Sequence, residues 1–136
     1  MKRKKIILIV LLVMALLVAC YLVNLYNKPH INVAETTPKI ELMAKTLLDD
    51  FQNDENVANL NYLGQIIQVK GTITSIENGT VTLGNSDSFG SIICNLSLEE
   101  SKHILDLKEG QNISIKGICT GYLMDVILIN SVIVKQ

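Results

Sequence analysis

ISIKGICTGYLMDVIL, residues 113–128, reads as one extended segment interrupted by glycines and followed at once by another. Ile113, Ile115, Gly117 and Cys119 fall on one parity, with Asn112, Ser114 and Lys116 on the other. That is the period of a half-buried strand. The earlier stretch IIQVKGTITSI, residues 66–76, has the same rhythm: Ile67, Val69, Gly71 and Ile73 alternate with Gln68, Lys70, Thr72 and Thr74. A glycine in an inward slot marks a bulge or sharp bend. The two stretches therefore predict neighbouring strands that coil around a narrow interior.

Around this pair the other elements fall into order. Glu77-Asn78-Gly79-Thr80 is a hairpin signal, because Asn-Gly supplies the positive φ values of a tight turn. Thr80–Leu83 follows as a second strand. After the loop from Gly84 to Gly90 comes a third, Ser91–Leu96, with Ile92, Cys94 and Leu96 on one side. Ser97-Leu98-Glu99-Glu100 fits a capping box and predicts a helix with Leu98, Ile104, Leu105 and Leu107 on its apolar face, closed by Lys108-Glu109-Gly110. Asn112–Cys119 is the fourth strand and Asp125–Val134 the fifth. Three meandering strands, a helix and two more strands is the order of a five-stranded Greek-key OB-fold barrel, a mainly β class. The barrel is expected over residues 64–136.

Upstream, Ile40, Met43, Ala44, Leu47, Leu48 and Phe51 recur at helical spacing and predict a helix of about 13 residues from Lys39. Asn53-Asp54-Glu55 then supplies a cap and first-turn acids for a short second helix carrying Val57, Leu60, Tyr62 and Leu63. Together these form a helical extension, 39–63. The acids Asp49, Asp50, Asp54 and Glu55 lack the central glycine and spaced glutamate of a calcium loop, so they read as a solvated helix junction. Residues 24–38 are polar, contain Pro29 and Pro38, and read as a solvated juxtamembrane linker in which Lys28 and His30 are placed to meet headgroups.

Residues 1–23 are an address. Lys2, Arg3, Lys4 and Lys5 precede 18 apolar residues, Ile6–Val23. Such a run is near the length needed to span a bilayer, and the basic cluster keeps its own end cytoplasmic. Two readings of it stand. In one the helix is an uncleaved single-pass anchor. In the other Leu17-Val18-Ala19-Cys20 resembles a lipobox, Cys20 is lipidated and residues 1–19 are removed. Both place the domain outside the cytoplasm (periplasmic) on a membrane tether. The part beyond the anchor carries eight lysines against thirteen acidic residues, a net charge of −5. That balance disfavours nucleic acid, whose binding rests on phosphate contacts.

DFQNDENVANLNYLGQIIQVKGTI (50–73) and GQNISIKGICTGYLMDVILINSVIV (110–134) resemble the OB-fold family called tRNA-anticodon-binding-like, found mostly in bacterial envelope proteins. The acidic helix junction, the NYLG turn, VKG and KGICTG…DV carry the resemblance, which runs over about Leu42–Val134, and YNKPH (26–30) is similar to membrane-anchored members. The resemblance implies an OB barrel outside the cytoplasm, with a name that records fold likeness. It also implies that many relatives hold a cysteine where this chain has Ser131.

The chemistry-bearing residues are sparse. Cys94 and Cys119 share the inward parity, and two readings stand for them. One is a disulfide closing a loop of 24 intervening residues, contributing about 3 kcal/mol. The other is two buried free thiols. His103 and the two cysteines lie on separate elements, so no metal site is expected, and no cofactor motif or nucleophile–base pair is visible. The chain reads as a binding module and not an enzyme. The surface that OB barrels present is the outer face of the second and third strands with their loops. Here that gives Thr80, Thr82, Ile93 and Asn95, joined by Phe89, Tyr122, Leu123 and Asp125, with Phe89, Ile93, Asn95, Tyr122 and Asp125 as candidate ligand contacts. Tyr122 either stacks on a ligand or folds over the barrel mouth. The expected partners are the membrane, through the anchor, and an envelope protein, peptide, glycan or small ligand, with single-stranded nucleic acid as the rival.

Overall fold

The structure, a computed structural model, describes residues 2–26, 32–84 and 89–134, in two compact units that divide after Ile31. Lys28 and His30 lie outside the described residues, as do residues 85–88 of the loop before Gly90. The first unit is α1 (Lys2–Tyr26), a helix of 25 residues that is long and apolar enough to cross a membrane. At 1.5 Å per residue it is about 37 Å long, against about 30 Å of hydrocarbon. Its apolar side chains from Ile6 to Leu25 are exposed on every side, and Cys20 is exposed among them. The helix passes Val23 and takes in Asn24-Leu25-Tyr26, because no breaker occurs before Pro29.

The second unit is a closed barrel. Its strands are β1 (Ile40–Met43), β2 (Ile66–Glu77), β3 (Thr80–Gly84), β4 (Ile92–Leu96), β5 (Asn112–Tyr122) and β6 (Val126–Val134). The sheet order is β1-β2-β3-β4-β6-β5, and pairing of β2 with β5 closes the last five-strand ring. The antiparallel β2–β5 pair is the one that the two opening motifs predict: Ile67 faces Gly117 and Gly71 faces Ile113. The glycines allow close approach. A Cβ on Gly71 would lie 2.9 Å from the Cβ of Ala44, and one on Gly117 would lie 2.6 Å from the Oγ of Ser131. The slot at Gly71 is thus where α2 (Ala44–Asn53) begins. At the hairpin, Asn78 and Gly79 both take positive φ, as a tight turn of this kind requires.

Two elements differ from the sequence expectation. Residues 40–43 form a strand parallel to β2, with Ile40 beside Ile67 and Met43 beside Lys70. Ile40 and Leu42 pack on the core while Glu41 and Met43 are exposed, so a period of two replaces the helical one. Unpaired backbone along β2 outweighs a first helical turn here. The helix begins only at Ala44 and lays Leu47, Leu48 and Phe51 into the core. It ends at Asn53, and Asp54 caps α3 (Glu55–Tyr62) by accepting from the Val57 amide at 3.1 Å.

The connector after β4 is a 3-10 helix, Glu100–Asp106, in place of an α-helix. Ser97 accepts from the Glu100 amide at 3.4 Å, which is half of the expected box. The Glu100 carboxylate instead accepts from the Ile133 amide, also at 3.4 Å. With three residues per turn, Ile104 and Leu107 share a side and pack on the core, while Leu98 and Leu105 are exposed.

The segment before β1 also departs from a solvated linker. Val33 is buried, and the Lys116 ammonium donates to the carbonyls of Ala34 and Thr36 at 2.9 Å each. Lys116 and Ser114, expected to face water, are buried in the barrel wall.

A neutral sheet face and the cleft beside it

Register assembles the candidate face. Across β3 and β4, Thr80 faces Asn95 and Thr82 faces Ile93. The parallel β4–β6 pair sets Ile93 beside Ile127, and Gly121 of β5 lies opposite Ile127. The row Thr82–Ile93–Ile127–Gly121 therefore runs across four strands. Thr80 donates its hydroxyl to the Asn95 side chain at 3.0 Å, and Ile93 is half-buried. The row leads into a cleft of about 300 Å³. Glu55 and Asn59 of α3 form one wall, Leu63 follows, and Thr120–Leu123 with Ile127 form the other. The strands β3, β4 and β6 contain no charged residue at all. Glu55 lines the cleft, and Glu77 of β2 stands in register with Thr80 at the other end of the face.

Tyr122 closes the core. Its ring stacks on Phe51 with centroids 5.3 Å apart and planes 20° apart, and Phe51 meets Tyr62 at 5.9 Å. One face of Tyr122 is therefore occupied, and only its remaining surface lines the cleft.

The Tyr62 hydroxyl donates to Asp50 at 2.5 Å. Burial, then the hydrogen bond and negative charge of Asp50, push the Tyr62 phenol up to about 12. Its folded pKa lies above the ordinary 10.0. The neutral phenol's stabilisation is thus complete below that pH and is lost as pH climbs towards the folded value. Thermal melts across this alkaline range should show wild type losing stability that Tyr62→Phe, less stable to begin with, does not lose. Parallel curves for the two proteins would refute the assignment.

Asp125, a candidate ligand contact, is already engaged. Its Oδ1 accepts from both the amide and the hydroxyl of Ser91 at 2.7 Å, and the Val126 amide donates to the Ser91 carbonyl. Asp125 is a staple between the loops that precede β4 and β6. Asp125→Ala strands two partly buried donors and should cost about 1–3 kcal/mol in denaturant unfolding. A change below about 0.5 kcal/mol would return Asp125 to the pool of free surface groups.

Phe89 is 90% exposed on the loop before β4, and its carbonyl accepts from the Gln52 side chain. Nothing local in residues 55–59 signals that α3 contributes Glu55 and Asn59 to the cleft. Their only local signal was the cap at Asp54, which marks a helix start and says nothing about tertiary neighbours.

The disulfide reading for Cys94 and Cys119 is not realised. Both are buried free thiols, each in register with Leu128 on opposite sides of β6. Two strand spacings separate them, about 10 Å, beyond the roughly 7 Å that a bridge spans. Burial pushes both thiols up, the amide of Gly121 opposing this at Cys119, so both stay protonated and unreactive at neutral pH. His103 is exposed on the 3-10 helix, and the described residues contain no group of three or more His, Cys, Asp or Glu side chains placed to hold a metal ion.

The sequence matches the tRNA_anti-like family over residues 1–133. The chain belongs to that family. No curated protein matches it. Among solved structures, a candidate nucleic acid-binding lipoprotein from Klebsiella pneumoniae subsp. pneumoniae MGH 78578 is 21% identical, with a TM-score of 0.60 over 79% of this chain and 100% of that one. The telomere capping protein Ten1 from Saccharomyces pombe is 15% identical, with a TM-score of 0.43 over 71% of this chain and 81% of that one. U. maydis Replication protein A bound to ssDNA is 11% identical, with a TM-score of 0.44 over 74% and 78%. At 21% identity the likeness to the Klebsiella lipoprotein is one of fold alone. The tRNA_anti-like barrel described here has, on its own face, the row Thr82–Ile93–Ile127–Gly121 with the Thr80–Asn95 pair beside it.

Proposed function

We propose that this chain is a membrane-tethered, extracytoplasmic OB-fold module that binds a neutral ligand of the cell envelope, a peptide, glycan or small molecule. It carries out no chemistry of its own. The observation that carries this reading is the uncharged face of β3, β4 and β6 leading into the cleft beside Leu63 and Tyr122. Hydroxyl, amide and isoleucine side chains suit a ligand that brings hydrogen-bonding groups and apolar surface without charge. The apolar helix α1 supports the tether, whether it remains as a span or is replaced by a lipid at Cys20.

The rival reading is single-stranded nucleic acid, which the description of the Klebsiella lipoprotein favours. Such ligands are held by a basic groove lined with several stacking aromatics. The face has no cation, and its aromatics are Phe89 and the half-covered Tyr122. A photo-crosslinking residue at Ile127 should capture a discrete peptide or glycan in intact cells, while the same residue at Leu105 should not. Capture dominated by nucleic acid at Ile127 would overturn the proposal.

A further inference from the structure

At one end of the barrel two loops present bare apolar side chains side by side. Phe89 is 90% exposed, Leu123 85% and Met124 78%. The loops are fixed to each other: Asp125 holds Ser91, and Gly90 packs so closely on the Met124 carbonyl that a Cβ there would lie 2.3 Å from that oxygen. The Gln52 side chain holds the Phe89 carbonyl from α2. Met124 itself has φ of 88°, a conformation that bulky residues avoid and that persists only where the surroundings impose it. The described residues of these loops, 89–91 and 121–125, carry no charge except Asp125, whose Oδ1 is given to Ser91.

Water is a poor medium for this tip, and the proposed tether would bring a better one near. The docked segment begins at Asn32, held by burial of Val33 and by Lys116, so with α1 kept as an uncleaved span only residues 27–31 separate it from Tyr26. A chain of that length spans about 20 Å when fully extended. On the tether proposed above, a barrel held by so short a chain would meet lipid continuously. We infer that Phe89, Leu123 and Met124 form a rigid tip that dips into the lipid interface and fixes how the barrel presents its neutral face. The occupant is the bilayer, because the tether holds lipid within reach and an apolar tip with no free cation has no headgroup phosphate to pair with. This inference rests on the tether reading above.

The chain has no tryptophan, so a single one reports its own surroundings. The full-length protein would be reconstituted in phosphatidylcholine–phosphatidylglycerol vesicles whose acyl chains are brominated. Phe89→Trp and Leu123→Trp should be quenched at least about twofold more than Leu105→Trp, which replaces a leucine 90% exposed on the 3-10 helix. Equal quenching at the three positions would overturn the tip. So would blue-shifted emission without bromine quenching, which would assign the tip to a second copy of the chain. Flotation separates the two levels: protein that fails to float with vesicles sinks the tether reading and this inference with it, whereas protein that floats unquenched sinks only the tip.

Discussion

Phe51→Ala is expected to destabilise the barrel by about 3–5 kcal/mol, read as a lowered denaturant midpoint at unchanged slope. Phe51 is 1% exposed and makes both ring contacts of the core, with Tyr122 and Tyr62. Truncation removes its transfer free energy and leaves a cavity. It also removes two aromatic pairs, each contributing about 0.5–1.5 kcal/mol beyond burial. The consequence reaches the candidate site, because Tyr122 loses the surface that holds it flat at the cleft. A loss below about 1 kcal/mol would mean that α2 is not seated in the barrel as described.

Gly90→Val should be as severe, at about 4 kcal/mol or more, for a different reason. Gly90 has φ of +92°, which a β-branched residue adopts only under strain, and its Cβ would overlap the Met124 carbonyl. Relief requires separating the loop before β4 from the loop before β6, which breaks the Asp125–Ser91 staple. Gly84→Ala provides the contrast. Its Cβ would meet the Thr74 and Ser91 side chains at 3.5 Å or more, so the cost should stay within about 1 kcal/mol. Similar melting temperatures for the two variants would show that the loops are not locked together.

The barrel was legible in the sequence where its signals are local. Period two in 66–76 and 113–119, the Asn78-Gly79 turn and the inward glycines each act within a few residues of the structure they cause. Ile40–Met43 was not legible as a strand. Its spacing fits a helix as well as a strand, and its partner, Ile67–Lys70, lies elsewhere in the chain. Lys116 was read as wet because nothing periodic in residues 33–36 announces that they will cover it. Asp125 was read as a ligand contact because its partner Ser91 is 34 residues away. The candidate face was partly legible for the same reason. Strand parity placed Thr82 and Ile93 correctly, but Ile127, Leu63, Glu55 and Asn59 joined it through parallel pairing and helix packing that leave no local mark.

The proposed face recognises uncharged groups. Titration of the full-length protein with a labelled single-stranded oligonucleotide, followed by fluorescence anisotropy between about 50 and 200 mM salt, tests it most directly. The expected result is binding no tighter than about 100 µM with little salt dependence. Micromolar binding that weakens about a thousandfold over that range would reveal several phosphate contacts and contradict the account.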